Sequence, residues 1–122
     1  LLMAKFLSYD SVILATPVYY WNVAAKLKAF IDRHYFYYTH KRNMIARSCG
    51  IIIVAASSGF DEVEHFLRRF LVTGAKFAPG HDGIEALRVQ AGAKNAVSSM
   101  TDVLVKAEEL GTRLVARARA QA

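Results

Sequence analysis

The sequence predicts an α/β fold, a three-layer structure in which a parallel sheet lies between helices. Two short apolar runs rich in β-branched residues, 11–15 and 49–56, have the composition of strands buried on both faces. A segment with apolar residues at helical spacing follows each run. Strands that alternate with helices form a parallel sheet through right-handed crossovers, so this order predicts the fold class.

The chain has the size of one domain. Its 122 residues suffice for a modest core, and 54% hydrophobic with 21% charged residues is typical of a globular protein. No apolar run approaches the ~20 residues of a membrane-spanning helix, and residues 1–9 do not resemble a signal peptide. The single cysteine, Cys49, fits a reducing compartment, so we expect a cytoplasmic protein with a buried, inert thiol.

The formal net charge of +6 permits a nucleic acid, an anionic cofactor or simple solubility as its explanation. The basic residues are scattered along the chain, and no nucleic-acid-binding motif accompanies them. Solvated basic faces are therefore the favoured interpretation, and we expect neither nucleic acid nor a membrane as a partner.

The most informative stretch runs from Asp10 to Arg33. Its strand is predicted to end at Thr16-Pro17, because proline has no N–H for a ladder and fixes its own φ. Asn22 is the predicted N-cap of the helix that follows. The apolar stripe of that helix is formed by Val23, Leu27, Phe30 and Ile31.

The remaining elements follow from the same patterns. Residues 1–7 resemble the end of a helix, and 34–48 read as a helix end with a long loop. After the second strand we expect a helix over 61–73 ended by Gly74, a weaker strand over 84–89 and a final helix over 97–118.

Ligands in such sheets bind beyond the carboxyl ends of the strands, here the loops 16–22, 57–60 and 90–95. The rings of Tyr19, Tyr20 and Trp21 suit stacking on a flat ligand, but equally packing against 36–38 or at a subunit interface. The small second loop, Ser57-Ser58-Gly59, allows close approach of a ligand edge, or is an ordinary turn capped by Ser58 or Asp61. The residues alone leave these alternatives open.

The common catalytic signatures are absent from the sequence. It contains no GxSxG, HExxH, CxxC, GxGxxG or Walker pattern, and its four histidines are dispersed. We therefore expect no metal site, and no general acid, base or nucleophile stands out. If the protein is an enzyme, a cofactor carries its chemistry.

The stretch from Asp10 to Arg33 resembles the flavodoxin-like NAD(P)H-dependent FMN reductase family, which includes quinone reductases and iron–sulfur flavoproteins. The second strand with its following loop, Gly92 and residues 108–111 also agree with the family in order and spacing. The matching residues of the first stretch are Asp10, Thr16-Pro17-Val18-Tyr19, Asn22, Leu27-Lys28, Phe30-Ile31 and Asp32-Arg33.

The resemblance implies an FMN-dependent oxidoreductase that passes hydride from NAD(P)H to a flavin, quinone or similar small acceptor, often as a dimer or tetramer. Residues 34–38 would then be a subunit contact or a cover over the ring. A flavodoxin-like electron carrier and a non-catalytic flavodoxin-like interaction domain are the alternatives. The implied cofactor-binding residues are Thr16, Pro17, Val18, Tyr19, Tyr20, Trp21, Asn22, Val23, Ser57, Ser58 and Gly59.

This sequence departs from the family pattern in one large respect. Family members begin with a strand, a Ser/Gly/Asn/Thr-rich phosphate loop, a helix and a second strand, and none of these is recognisable here. The resemblance therefore implies that 1–122 is a single flavodoxin-like domain, N-terminally incomplete, with three strands retained. We expect an open apolar edge on the strand at 11–16, weak FMN binding by this chain alone, and upstream cysteines for any iron–sulfur cluster.

Overall fold

The computed structural model describes residues 1–94 and 96–121. A π-helical turn, Phe70–Gly74, follows the fourth helix, and 3-10 turns cover His81–Gly83 and Ala96–Ser99. The main elements are α1 (Leu2–Ser8), β1 (Ser11–Tyr19), β2 (Asn22–Val23), α2 (Ala25–Asp32), α3 (His34–Thr39), β3 (Ser48–Ala55), α4 (Phe60–Arg69), β4 (Ile84–Gln90) and α5 (Thr101–Ala120).

The sheet has the strand order β2-β1-β3-β4. β1, β3 and β4 are parallel, and Cys49 of β3 pairs with Val12 on one side and with Ile84 on the other. The α/β fold class and the three parallel strands predicted from sequence are confirmed. The sheet has a fourth strand that was not predicted, because the chain reverses after β1 and pairs β2 with it antiparallel.

Helices cover both faces of the sheet, which gives three layers. One face packs β1 and β3 against α1, α2 and α4 in a single core that includes Phe6, Leu14, Ile51 and Leu67. On the other face α5 lies so close to the sheet that a Cβ added to Gly50 would be 2.8 Å from a methyl of Leu114. Successive side chains of a strand point to opposite faces of the sheet. Because both faces are covered, residues of both directions are apolar, which explains the continuous apolar runs.

The predicted end of the first strand is wrong. Pro17 does not end β1, because the outer side of the strand has no partner at that residue and proline is tolerated in edge strands. The segment after α2 has the predicted helical start and long loop, but its helical part is a separate short helix, α3, followed by the loop 40–47. His34 anchors α3, since it is buried against the Phe70 ring with the ring centroids 5.3 Å apart. This tertiary contact has no signature in the periodicity of the segment.

The outer edge of β1 is open. Within the described chain, β2 pairs only with Val18 and Tyr19, so no strand pairs with the outer side from Ser11 to Pro17. A groove of about 470 Å³ runs along this edge beneath Phe6 and Phe30. None of the described helices combines the length and apolarity that crossing a bilayer requires.

Candidate functional site

The carboxyl end of β1 is tied to the start of α2 by the buried hydroxyl of Thr16. Its Oγ1 accepts a hydrogen bond from the backbone N–H of Ala24 at 3.0 Å and donates to the carbonyl of Pro17 at 2.7 Å. Asn22 is not the N-cap of α2, as the sequence had predicted. Ala24 occupies that position, and the Asn22 Oδ1 accepts instead from the N–H of Val23 at 2.8 Å. The Thr16 hydroxyl thus supports the base of the β1–β2 hairpin.

The hairpin turn holds two large residues in an unusual backbone conformation. Tyr20 and Trp21 have φ of 50° and 60°, and they connect the paired residues Tyr19 and Asn22. Two-residue hairpin turns with positive φ at both positions normally contain Asn-Gly, because bulky side chains are strained there. Residues kept in such conformations cost about 1–3 kcal/mol each and concentrate at ligand-binding sites.

The rings of this turn project into solvent. Tyr20 is 92% exposed and Trp21 is 59% exposed, and the two rings meet edge to face with centroids 6.4 Å apart. No ring contact within the described chain joins Tyr20 or Trp21 to the aromatic residues 36–38. The rings of 36–38 contact one another or His40, Arg42 and Lys76. Packing against 36–38, one of the alternatives left open by the sequence, therefore does not account for these rings.

The structure brings the first and second loops together. The indole Nε1 of Trp21 donates a hydrogen bond to the Oγ of Ser58 at 3.1 Å. Gly59 has a φ of 97°, and a Cβ added there would lie 2.5 Å from a methyl of Val18 and 3.2 Å from the Cα of Trp21. Only glycine combines this conformation with so close an approach, so Gly59 seats the second loop directly against the hairpin.

The second loop leads into α4 without a side-chain cap. Gly59 is the N-cap residue, and neither Ser58 nor Asp61 provides the capping hydrogen bond considered from the sequence. Ser57 and Ser58 are exposed. No side chain among the described residues caps α4, so the N–H groups of its first turn lack a capping partner at this edge of the sheet.

Beside the loops, α4 is fastened to β4 by ion pairs. Glu64 accepts from the guanidinium of Arg68 at 2.8 Å and from that of Arg88 at 2.9 Å, and Arg88 also donates to Asp61 at 2.8 Å. Burial raises the pKa of Glu64, but the hydrogen bonds from the two arginines outweigh it and hold the pKa below its usual range. The bond to Glu64 likewise raises the pKa of Arg88.

Sequence reasoning missed this network and the role of Thr16. The spacing of Glu64 and Arg68, four residues apart on a helix, was a visible signal for one pair. Nothing in the sequence pointed to Arg88, since it comes from a strand 24 residues further along. No three His, Cys, Asp or Glu side chains within the described part of the chain are grouped as metal ligands would be.

The carboxyl end of β4 is joined to the carboxyl end of β3. The N–H of Ala91 donates to the carbonyl of Ala55 at 2.9 Å, and the side-chain amide of Gln90 donates to the carbonyl of Ala56 at 3.2 Å. Asn95, at the end of the predicted third loop, lies outside the described residues.

The arrangement fits the flat ring system of a flavin better than its phosphate. Exposed rings supply faces for stacking, and Ser57 and Ser58 with the free N–H groups at the start of α4 supply donors for a polar ring edge. Residues 16–23 and 57–59 include no Lys or Arg, and Asp61 and Glu62 occupy the first turn of α4. A dianion would find no cation in these loops.

Two comparisons with known proteins identify the family of this chain. The family model described as NADPH-dependent FMN reductase matches residues 1–86. An iron–sulfur flavoprotein of Archaeoglobus fulgidus is 38% identical over 90 residues, which cover 65% of this chain but only 40% of that relative. The family implies FMN as cofactor with NAD(P)H as reductant. The chain belongs to the NADPH-dependent FMN reductase family.

Proposed function

We propose that this chain provides the ring-binding side of an FMN site in a cytoplasmic, homo-oligomeric oxidoreductase. The reaction passes hydride from NAD(P)H to FMN and then two electrons to a small acceptor such as a flavin or quinone. The observation that carries the proposal is the hydrogen bond from Trp21 to Ser58, which joins the loops of two neighbouring parallel strands. Ligands of doubly wound sheets bind in this place.

The residues of the two loops have different roles. In the proposal, the hairpin residues Thr16 to Val23 form a wall with aromatic faces against the ring system. Ser57, Ser58 and the backbone of Gly59 approach its polar edge. The flavin supplies the redox chemistry when bound, and these residues bind it, orient it and exclude water from one side.

The charge distribution also supports weak binding of FMN by this chain alone. The phosphate of FMN is a dianion, and neither loop contains a cation to hold it. The chain spans well under two thirds of the relative it matches, with 40% of that relative aligned. In our proposal the phosphate is held by residues outside this sequence.

Quenching of flavin fluorescence on titration of FMN with the protein tests the site. We expect a dissociation constant above about 10 µM, weakened a further three- to ten-fold in Trp21→Phe, which keeps a ring but loses the bond to Ser58. Ser58→Ala should weaken binding to a similar degree, and the double variant no more than either single one. Ser8→Ala, an exposed residue at the end of α1 and before the amino end of β1, serves as the control.

Three results would contradict parts of the proposal. Isolation of the chain with stoichiometric FMN would disprove weak binding. Flavin binding that neither single variant alters would disprove the role of the two loops and favour an interaction domain without a flavin in this place. Flavin binding by the full-length protein without NAD(P)H consumption, whatever the acceptor, would favour an electron carrier.

A further inference from the structure

We propose that the surface around Tyr38 binds an acidic segment of another protein. This Tyr38 surface lies at the end of α3 and in the loops beside it. It shares no residue with the loops at the strand ends, so the inference does not depend on the proposed flavin chemistry. Its members are Tyr35, Tyr38, Thr39, Lys41, Asn43 and Lys76.

Two grooves of different character meet at Tyr38. The first, of about 650 Å³, runs between α3 and the π-helical turn and is lined by Tyr35, Phe70 and Gly74 among others. The second, of about 520 Å³, is lined by polar and basic residues, including Lys41 and Lys76. Tyr38 lines both grooves, so a mainly aromatic groove continues into a basic one.

The aromatic groove is exposed to an extent that is unusual for rings of this size. Tyr35 is 71% exposed and Tyr38 is 50% exposed. Aromatic side chains on an exposed surface are characteristic of interface centres, where they bury a large area at a small entropic cost. This groove therefore suits an apolar side chain of a partner.

The basic groove has no acid of its own. The sequence contains no Asp or Glu from Arg33 to Phe60, and neither Lys41 nor Lys76 forms an ion pair within the described chain. Asp32 lines the aromatic groove, but its carboxylate is bonded to Lys28 at 2.6 Å. The Lys76 ammonium lies 5.8 Å from the centre of the Tyr38 ring, which holds this cation beside the boundary of the two grooves.

Both lysines lie just past a helix end. Lys41 and Lys76 have φ of 55° and 61°, in the left-handed region that often ends helices. The N–H groups of Lys41 and Arg42 donate to the carbonyls of Tyr38 and Tyr37, which closes the last turn of α3. The two lysines therefore come from separate loops and line the same groove.

An acidic protein segment with an apolar side chain is the occupant that these features favour. A second copy docking through the same surface would place Lys41 and Lys76 against like charges, which opposes a symmetric contact. A small molecule would remain largely uncovered, because Tyr35 and Tyr38, which line the groove, are at least half exposed. A membrane surface is disfavoured because α3 has only six residues and offers little apolar area for insertion.

Fluorescence anisotropy with a labelled peptide tests the inference. The probe is an eight-residue peptide in which one Phe is flanked by Asp and Glu, and its matched control has Ala in place of Phe. We expect micromolar binding at low salt that weakens as salt rises. Binding should fall at least five-fold in Lys41→Glu, in Lys76→Glu and in Tyr38→Ala. Lys106→Glu, an equal charge change on α5, should leave it unchanged.

Any one of four other outcomes would overturn the inference. Equal loss in Lys106→Glu would mean a non-specific effect of net charge, and equal binding of the Ala peptide would remove the aromatic groove from the site. Binding to vesicles of phosphatidylserine but not to the peptide would assign the surface to a membrane. A dimer in analytical ultracentrifugation that Lys41→Glu dissociates would assign it to a second copy. Thermal unfolding of every variant verifies that the fold is intact.

Discussion

The two edges of the sheet are built in opposite ways. β4 carries charged side chains that are all engaged: Arg88 bonds to α4, and Glu85 accepts from Arg113 at 3.0 Å and lies 3.5 Å from Arg117 of α5. The outer edge of β1 from Ser11 to Pro17 has no charged residue and borders an apolar groove. Natural sheets protect a solvent-exposed edge with charges of the kind that β4 carries.

By this criterion the sequence is adapted to leave the β4 edge exposed, and not the β1 edge. The ion pairs of β4 also fasten both covering helices to that strand, so the β4 side is fixed by electrostatics as well as packing. Within the described chain no residue of β1 forms an ion pair, and the β1 side is held by apolar contacts and the hydroxyl hydrogen bonds of Ser11 and Thr16, with Ile13 at 42% exposure. We therefore expect the two sides to respond differently to mutation, pH and unfolding.

Labelling of Cys49 measures how firmly the sheet is held between its two edges. The thiol is fully buried in the central strand, and burial raises its pKa to about 12. We expect a maleimide at pH 8 to react about a thousand-fold more slowly with the native protein than with the unfolded chain, because the structure around Cys49 must open before the thiol can react. Labelling followed by mass spectrometry gives both rates.

The urea dependence of this rate separates the two edges. If the β1 side opens by itself, the labelling rate will stay nearly constant at low urea, because such an opening exposes little new surface. If the whole sheet opens together, the rate will rise steeply with urea from the start. Labelling as fast in the native as in the denatured state would refute burial of Cys49.

Glu64→Ala tests the electrostatic fastening of the β4 side. Removing the carboxylate leaves the guanidinium groups of Arg68 and Arg88 without their shared acceptor, and the Glu64 side chain is only 18% exposed. We expect a loss of about 2 kcal/mol in the free energy of unfolding in urea. Glu62→Ala, on an exposed position of the same helix, should change it by less than about 0.5 kcal/mol. Equal losses would refute the network.

The same carboxylate predicts a pH dependence. Its pKa in the folded protein is lowered relative to the unfolded chain, so its stabilising contribution is present at neutral pH. This contribution should begin to fall below about pH 4.3, the ordinary value for Glu, and vanish as the pH passes the lowered pKa. The stability difference between the protein and Glu64→Gln, measured from pH 7 to pH 2.5, should shrink over that window. A stability difference that stays constant from pH 7 to pH 2.5 would contradict the predicted pH dependence.

Ile13→Lys tests the unprotected edge and has the smallest expected effect on stability. A charge at an exposed edge position opposes pairing with the edge of another molecule. We expect a several-fold reduction of aggregate during storage at high concentration, with little change in the midpoint of unfolding. Ile45→Lys, at an exposed position in the loop before β3 and outside the sheet, is the control. If both substitutions reduce aggregation equally, the edge is not the cause.

Local composition was sufficient to predict the three parallel strands, because β-branched runs bounded by turn residues have few other interpretations. It was insufficient for the hairpin, since Tyr20-Trp21 is not a sequence that marks a two-residue turn. The loops at the strand ends were identified from the fold class. The bond between Trp21 and Ser58 joins residues 37 apart and follows from no local pattern. Likewise, α3 depends on the contact of His34 with Phe70.

At the turn residues Tyr20 and Trp21, selection for stability and selection for a function of the rings favour different amino acids. Selection for stability alone would replace these residues with Asn and Gly, which adopt positive φ at little cost. In the proposed role, selection for flavin binding keeps the two rings in spite of the strain. Sequence variation at these two positions in relatives should therefore record ligand use: lineages that lost the ligand should drift toward Asn-Gly, and lineages that retained it should keep aromatic residues.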